Sequence, residues 1–369
     1  MGLENGINIK SARSIHSKVI APMVGNSFPG YPFASASDAE AIANAIAGGE
    51  HRVIATKYGL GLVGTAVLGL DDKAAMAEVK RVVVDPIQRK NGVASAMVEG
   101  LTVDALSLGK IPYAEVRGDK PAMQKAFLNA GFIPYGIQPA QHVVYRHLDD
   151  AGQDQGPARE HMICMIHPNL QIPLEDLYAY LNALPQTVRE ALINNMKASF
   201  SPPKKNPEVA KWHLPDAMTT KKNVLKSISA KKLEPNMIDI TGDGDVLLLT
   251  AGDTPIIVIP PDKSAFVQLH PKNINQVIET ASALGLQVVT RFSSLTTPEQ
   301  IEQLALSGAQ PVSIRPWQET SQDQPLWQVC MQWRLTENGF MNSQHDINLH
   351  PDVKSQLSAL ITDLELKVL

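Results

Sequence analysis

Residues 1–168 switch repeatedly between two apolar spacings, and that switching predicts one α/β unit. Short apolar runs at His51–Lys57 and Leu62–Gly69 flank Tyr58-Gly59-Leu60-Gly61, the composition of a hairpin turn. A third run, Glu78–Val84, ends at Asp85-Pro86. Val93, Met97, Leu101, Ala105 and Leu108 then recur at helical spacing and stop at Gly109. A strand at Ile111–Val116, a helix over Pro121–Asn129 ending at Ala130-Gly131, and strands at Phe132–Ile137 and His161–His167 complete the unit.

The pattern changes from Asn169 to about Pro235. Leu174, Leu177 and Leu181, then Leu184, Val188, Leu192 and Met196, predict a helical pair ending before Ser201-Pro202-Pro203. Nine lysines follow between Lys197 and Lys232 with Trp212 among them, so the stretch reads as a helical, lysine-rich linker over 169–235. A nucleic-acid patch is the rival reading, and a solvated linker face is the commoner meaning of such a run. Beyond residue 236 a second α/β unit begins. Strands are expected at Val246–Thr250, Pro255–Ile259, Phe266–His270, Gln287–Arg291, Val312–Arg315 and Trp327–Arg334. Helices are expected around Ile274–Leu284 and Pro298–Leu306. Thr241-Gly242-Asp243-Gly244-Asp245 superficially suggests a calcium loop, but it lacks the remaining EF-hand spacing and the distal Glu and reads as a turn.

Composition narrows the class. A length of 369 residues suits about two domains. The formal charge of -4 gives no general reason to expect nucleic acid or anionic membrane as a partner. Two cysteines, Cys164 and Cys330, imply no disulfide framework, and a cytoplasmic setting is expected. Residues 1–10 contain no apolar core of a signal peptide, no run is long enough to cross a membrane, and Gly6 stands where a myristoylation signal wants Ser or Thr.

The chemistry concentrates in Val82-Val83-Val84-Asp85-Pro86-Ile87-Gln88-Arg89-Lys90-Asn91-Gly92-Val93-Ala94. An apolar strand enters a loop containing Arg89-x-x-Gly92-x-Ala94, and the loop opens into a helix. Unsatisfied N–H groups at a helix start carry the positive end of the dipole and suit an anion. Gly92 and Ala94 remove bulk so that a pyrophosphate can come close to the backbone, and Arg89 and Lys90 add charge.

With that loop in this context, the chain resembles the GNAT superfamily of acyl-CoA N-acyltransferases, whose Gln/Arg-x-x-Gly-x-Gly/Ala loop binds the pyrophosphate of acetyl-CoA. The order of elements over roughly 10–168 is similar as well. Tyr31-Pro32-Phe33, Ala77-Glu78, Tyr113-Ala114-Glu115-Val116-Arg117 and Phe127-Leu128-Asn129-Ala130-Gly131-Phe132 look like the β-lysine N-acetyltransferase family. Lys80-Arg81 departs from the acidic Thr-Asp segment that family tends to carry. The resemblance implies a GNAT fold over 1–168 with a mixed, mostly antiparallel sheet. It also implies acetyl-CoA as co-substrate, bound by Val82, Val84, Arg89, Lys90, Asn91, Gly92, Val93 and Ala94. The backbones of Val82 and Val84 would pair with the pantetheine arm, in a cleft where that strand parts from Ala114–Val116.

By the same resemblance Glu78, eleven residues before Arg89, is the candidate general base. A surface glutamate paired with Lys80 is the equal alternative. Glu115 and Arg117 occupy alternate positions of one strand and share a face; they either bind the acceptor or meet solvent. Phe127 stands where many relatives carry a tyrosine that protonates the leaving thiolate. No metal is expected: His161 and His167 face one side of their strand and Cys164 the other.

The second unit, 236–369, resembles a degenerate copy of the same fold. Gly109 and Gly131 bracket a strand and helix in the first unit, and Gly285 and Gly308 do so at near-equal separation in the second. The segment before them is shortened and contains no Arg-x-x-Gly-x-Ala; an unrelated α/β domain is the alternative. The expected function is transfer of an acetyl group to an amine of a small molecule, such as an amino acid, β-amino acid or polyamine. A catalytically weak acyl-CoA sensor is the alternative. Neither nucleic acid nor membrane is expected as a partner, and the sequence leaves oligomerisation open.

Overall fold

A computed structural model describes residues 6–28, 31, 33–71, 74–144, 158–168, 174–199, 238–239, 247–251, 254–259, 264–267, 274–284, 286–318, 326–335 and 348–368. In the first unit the strands are β1 (Ile7–Ser11), β2 (His51–Lys57), β3 (Gly61–Leu70), β4 (Met76–Val84), β5 (Ile111–Arg117), β6 (Ile133–Val144) and β7 (Ala158–Ile166). The helices are α1 (Ser17–Ser27), α2 (Ala39–Ala47), α3 (Val93–Ser107) and α4 (Pro121–Asn129). The expected hairpin joins β2 to β3, with Gly59 and Gly61 both at positive φ as such a turn requires. β1, α1 and α2 were not predicted. α1 carries an internal Pro22, and α2 is capped by the Asp38 side chain, which accepts from the Ala41 N–H at 2.7 Å.

After α5 (Leu174–Asn182) and α6 (Gln186–Ala198) come β8 (Ile238–Asp239), β9 (Leu247–Ala251), β10 (Thr254–Ile259) and β11 (Ser264–Val267). Then follow α7 (Ile274–Ala283), β12 (Val288–Ser294), α8 (Pro298–Leu306), β13 (Gln310–Trp317), β14 (Leu326–Arg334) and α9 (Pro351–Val368). The suggested calcium loop and the lysine-rich stretch with Trp212 lie outside the described residues.

The sheets run β1-β2-β3-β4-β5-β7-β6 and β8-β9-β10-β11-β12-β14-β13, which is one strand order used twice. Every pairing is antiparallel except β4–β5 and β11–β12, the corresponding pairs. The match extends to single residues. Ile111–Arg117, Pro121–Asn129 and Pro134 are answered, at one constant displacement, by Val288–Ser294, Pro298–Leu306 and Pro311. β6 slips its register between Pro134 and Gly136 opposite Met165 and Cys164. β13 slips between Pro311 and Ser313 opposite Met331 and Cys330. A proline supplies no N–H to the ladder, so both copies carry their irregularity at the same proline.

The largest core of each unit forms under its sheet. The first gathers Val53, Leu68, Val79, Met97, Leu101, Val116, Phe127 and Met165. The second gathers Val258, Val277, Val289, Ile301, Trp327, Val329 and Met331. Leu177, Leu181, Leu184, Val188, Leu192 and Met196 are buried in that second core, so α5 and α6 are part of it rather than linker helices. α9 belongs to both: Val353 and Leu357 enter the first core, and Ile361, Leu364 and Val368 enter the second. It acts as a strap, because one rigid helix with apolar residues at helical spacing holds the two cores together. β6 and β13 also approach edge to edge, where a Cβ on Gly136 would lie 2.9 Å from the Ile314 carbonyl oxygen.

Candidate active site

The loop after β4 is held before it is used. The Asp85 carboxylate accepts the Ile87 N–H at 2.9 Å, and Gln88 N–H closes back on the Asp85 carbonyl at 2.8 Å. Arg89 is extended, Lys90 takes φ 66° and Gly92 takes φ 79° as N-cap of α3. Positive φ at two nearly adjacent residues turns successive N–H groups toward one concavity, the geometry of an anion nest. The Ala96 N–H donates to the Gly92 carbonyl at 3.0 Å, so the N–H groups of Val93, Ala94 and Ser95 precede the first helical bond. Arg89, Lys90, Asn91 and Gly92 are exposed, and Val93 is buried as the first apolar anchor of α3. Gly64 on β3 sets the depth of that anchor. A Cβ there would meet Met97 Cε at 2.9 Å, the Val83 carbonyl oxygen at 3.0 Å and Val93 Cγ1 at 3.1 Å.

The strand feeding the loop is half unpaired. β4 and β5 run parallel only through Met76–Ile111, Ala77–Pro112 and Glu78–Tyr113. Beyond Glu78 the two strands part, which leaves Val82–Val84 without a partner on the β5 side, as the resemblance to the GNAT superfamily implies. On the other side, the β3–β4 register shifts between Thr65 and Val67, and Arg81 at φ 51° marks the irregularity. A non-glycine residue in that region needs support, and Glu50 supplies it by pairing with Arg81 at 3.4 Å and Arg52 at 2.7 Å.

Glu78 stands where the strands part, half-buried and in an ion pair with Lys80 at 2.8 Å. Both readings of Glu78 therefore meet here: the lysine partner is present, and so is the opening cleft. Tyr113, its register neighbour, is a residue to which the sequence reading gave no role. Burial, helped by the charges of Glu78 and Glu115, pushes its phenol well above the ordinary value, so it stays protonated. Its alternation with Glu115 and Arg117 was the available signal.

Glu115 and Arg117 do share a face, but they meet different surroundings. The Glu115 carboxylate accepts from Gln138 Nε2 at 3.4 Å and lies 3.8 Å from His142 Nε2 and 3.9 Å from Arg315 Nη1. Burial raises its carboxyl, but His142, Arg315 and Gln138 outweigh that and hold it below its usual value. It is committed to the seam between the two units. Arg117 pairs with Glu160 and lies 3.6 Å from Asp119, with its guanidinium 5.7 Å from the Phe28 ring centre. Phe28, Tyr31 and Phe33 stack in sequence at 5.9 and 5.5 Å, so Arg117 faces an aromatic cluster from the α1–α2 connection. Phe127 is buried against Phe132 and offers no phenol.

His161 is buried, and burial followed by the charge of Arg334 lowers its imidazole to about 4. Burial also pushes the thiols of Cys164 and Cys330 up to about 12. Among the described residues no group of three or more His, Cys, Asp or Glu side chains could hold a metal ion, and no helix is long and apolar enough to cross a membrane.

The second unit carries rings at two matching described positions. β11 and β12 pair through Ser264–Val288, Ala265–Val289 and Phe266–Thr290, so Phe266 occupies the position of Glu78. Phe292 likewise occupies the position of Glu115.

Among solved structures, similar chains include an acetyltransferase from Salmonella typhimurium described with its cofactor acetyl-CoA. It is 16% identical, over 43% of this chain and 92% of that one, with a TM-score of 0.35. A GNAT superfamily phosphinothricin acetyltransferase from Sinorhizobium meliloti in complex with acetyl-CoA is 15% identical, over 44% and 90%, at 0.36. A ribosomal-protein-alanine N-acetyltransferase from Brucella melitensis is 17% identical, over 43% and 98%, at 0.34. No curated protein matches the sequence. The assignment rests instead on the family model for the acetyltransferase (GNAT) family, which matches residues 24–132 and so takes in α2, the parted strands, the loop after β4 and α4. The first unit of this chain is a GNAT superfamily acetyltransferase domain.

Proposed function

We propose that the chain transfers an acetyl group from acetyl-CoA to the amine of a small molecule, by direct aminolysis in a ternary complex. The observation that carries this reading is the anion nest of Lys90–Ser95 placed at the end of a strand whose edge is open beside Glu78. The nest and the charges of Arg89 and Lys90 take the pyrophosphate, while the open edge of Val82–Val84 offers backbone groups to the pantetheine arm. A backbone N–H at that edge polarises the thioester oxygen. Glu78, directly or through water, takes the proton that an ammonium must lose before its nitrogen can attack. The nitrogen then bonds to the acyl carbon as the carbon–sulfur bond breaks and gives up its remaining extra proton to solvent, while the thiolate leaves with the bonding pair and takes a proton from solvent. Arg117, Glu160 and the Phe28–Tyr31–Phe33 cluster lie on the acceptor side. The second unit, with Phe266 for Glu78, takes no part in the chemistry.

Thiol release from acetyl-CoA across a panel of amino acids, β-amino acids and polyamines tests the proposal. Release that depends on added amine supports it. Tight acetyl-CoA binding without turnover on any acceptor would instead make the chain an acyl-CoA sensor.

A further inference from the structure

The seam between the units carries a second built cluster. The Arg315 guanidinium, on a residue only 9% exposed, stacks 3.4 Å from the Phe292 ring centre and 4.3 Å from that of Trp317. Its Nε donates to Gln328 Oε1 at 3.2 Å, and Nη1 lies 3.9 Å from the Glu115 carboxylate. Trp317 meets Tyr113 edge-on at 5.3 Å. The carbonyl of Gln318 accepts the Ala75 N–H at 3.1 Å, which pins the end of β13 just ahead of β4. Tyr113 is the last β5 residue paired with β4, so Trp317 stands one ring away from Glu78 at the closed end of the cleft.

The two copies differ here in one direction. Carboxylates at Glu78 and Glu115 are answered by rings at Phe266 and Phe292, and Gln138 is answered by Arg315. Gln138 and Arg315 nevertheless reach the same Glu115 carboxylate, one from each unit. A guanidinium desolvated against two rings is attracted to both faces and holds both rings still, and one of the two is Trp317.

Resting on the acetyltransferase reading above, we infer that the second unit supplies the end wall of the acceptor site. Trp317, locked by Arg315, is a specificity-determining residue that limits the acceptor to compact amines and excludes long polyamines and peptides. Arg315 acts through Trp317 and Glu115 and is a positioning residue.

The test uses the full chain and a series of α,ω-diamines of increasing length, with a short lysine peptide at the end of the series. In wild type, kcat/KM should be highest for the short members. Trp317→Ala should raise KM for the best short amine about tenfold, the scale of a reshaped apolar pocket. The same variant should leave kcat within about threefold and KM for acetyl-CoA unchanged, and should move the optimum to longer amines. Trp317→Phe should shift the optimum part of the way, and it decides the matter by the same criterion if the alanine variant does not melt cooperatively. A folded variant whose length profile matches wild type overturns the inference. So does an equal loss on every amine together with a raised KM for acetyl-CoA, which marks a purely structural role. Wild type that binds acetyl-CoA but turns over none of the amines overturns the acetyltransferase reading itself, and this inference with it.

Discussion

Gly92 is where the proposed acetyl-CoA site can be broken with the least disturbance elsewhere. It is exposed, caps α3 and holds φ 79° and ψ 0°. Any side chain there occupies the left-handed region, at roughly 1–2 kcal/mol. Gly92→Ala isolates that cost, and Gly92→Glu adds a carboxylate to it. A negative charge at a helix start is itself favourable by about 0.3–1 kcal/mol, so the folded chain should lose little more with Glu than with Ala. The melting temperature should fall by roughly 2–8 °C, by similar amounts in the two cases. The ligand meets the opposite sign. At about 6 Å, between surface and bulk screening, each unit of pyrophosphate charge is repelled by roughly 1–3 kcal/mol. CoA affinity should therefore drop about 10–1000-fold for Gly92→Glu and far less for Gly92→Ala. Calorimetry with CoA measures both, with circular dichroism and thermal melts confirming the fold. Raising salt should recover part of the loss for Glu only, since only that part is electrostatic. A folded Gly92→Glu chain with wild-type CoA affinity would show that the pyrophosphate does not bind in this loop.

Further expectations follow from the same geometry. Glu78→Gln keeps shape but removes basicity, so turnover should fall roughly 10²–10⁴-fold with acetyl-CoA affinity unchanged, and high pH should partly rescue it; near wild-type turnover across the pH–rate profile would remove Glu78 from the mechanism. Titration of the full chain should give one CoA per molecule, and Gly92→Glu should leave no second site, because Phe266 and the missing loop motif deprive the second unit of one; residual stoichiometric binding would contradict this. Burial holds the folded pKa of His161 at about 4 against about 6.5 for a free imidazole, so the unfolded chain takes up the proton first and stability falls as pH drops from about 6.5 toward 4. Denaturant titrations at pH 7 and pH 5 should differ by about 2 kcal/mol from this group, with no contribution above pH 7, and His161→Gln should flatten that difference.

The hydrophobic spacing and the turn residues of this sequence determined most of its elements by themselves. Pro121–Asn129 and Pro298–Leu306 appear as helices at the predicted limits, because a proline at the first turn and a glycine after the end are local signals. The turn at Gly92 into α3 was equally legible, since Gly92 and the helix behind it need no distant partner to define their geometry. The strap helix α9 and the short elements ahead of β2 were not, as their apolar faces become meaningful only against cores assembled from remote strands. Likewise α5 and α6 read as a linker until the fold buried them in the second core.

The candidate site divides along the same line. Arg89 through Ala94 belong to one continuous segment, whereas the parting of β4 from β5 after Glu78 depends on a register that no local pattern encodes. Glu115 shows the difference most clearly. Its alternation with Arg117 placed both on one face, and only the docking of the second unit gave Glu115 to Arg315 and left Arg117 facing the aromatic cluster. Period and turn chemistry act over a few residues and are written in order along the chain. Which faces meet, and which carboxylate is desolvated by which arginine, depends on burying two cores at once, and only the tertiary structure decides that.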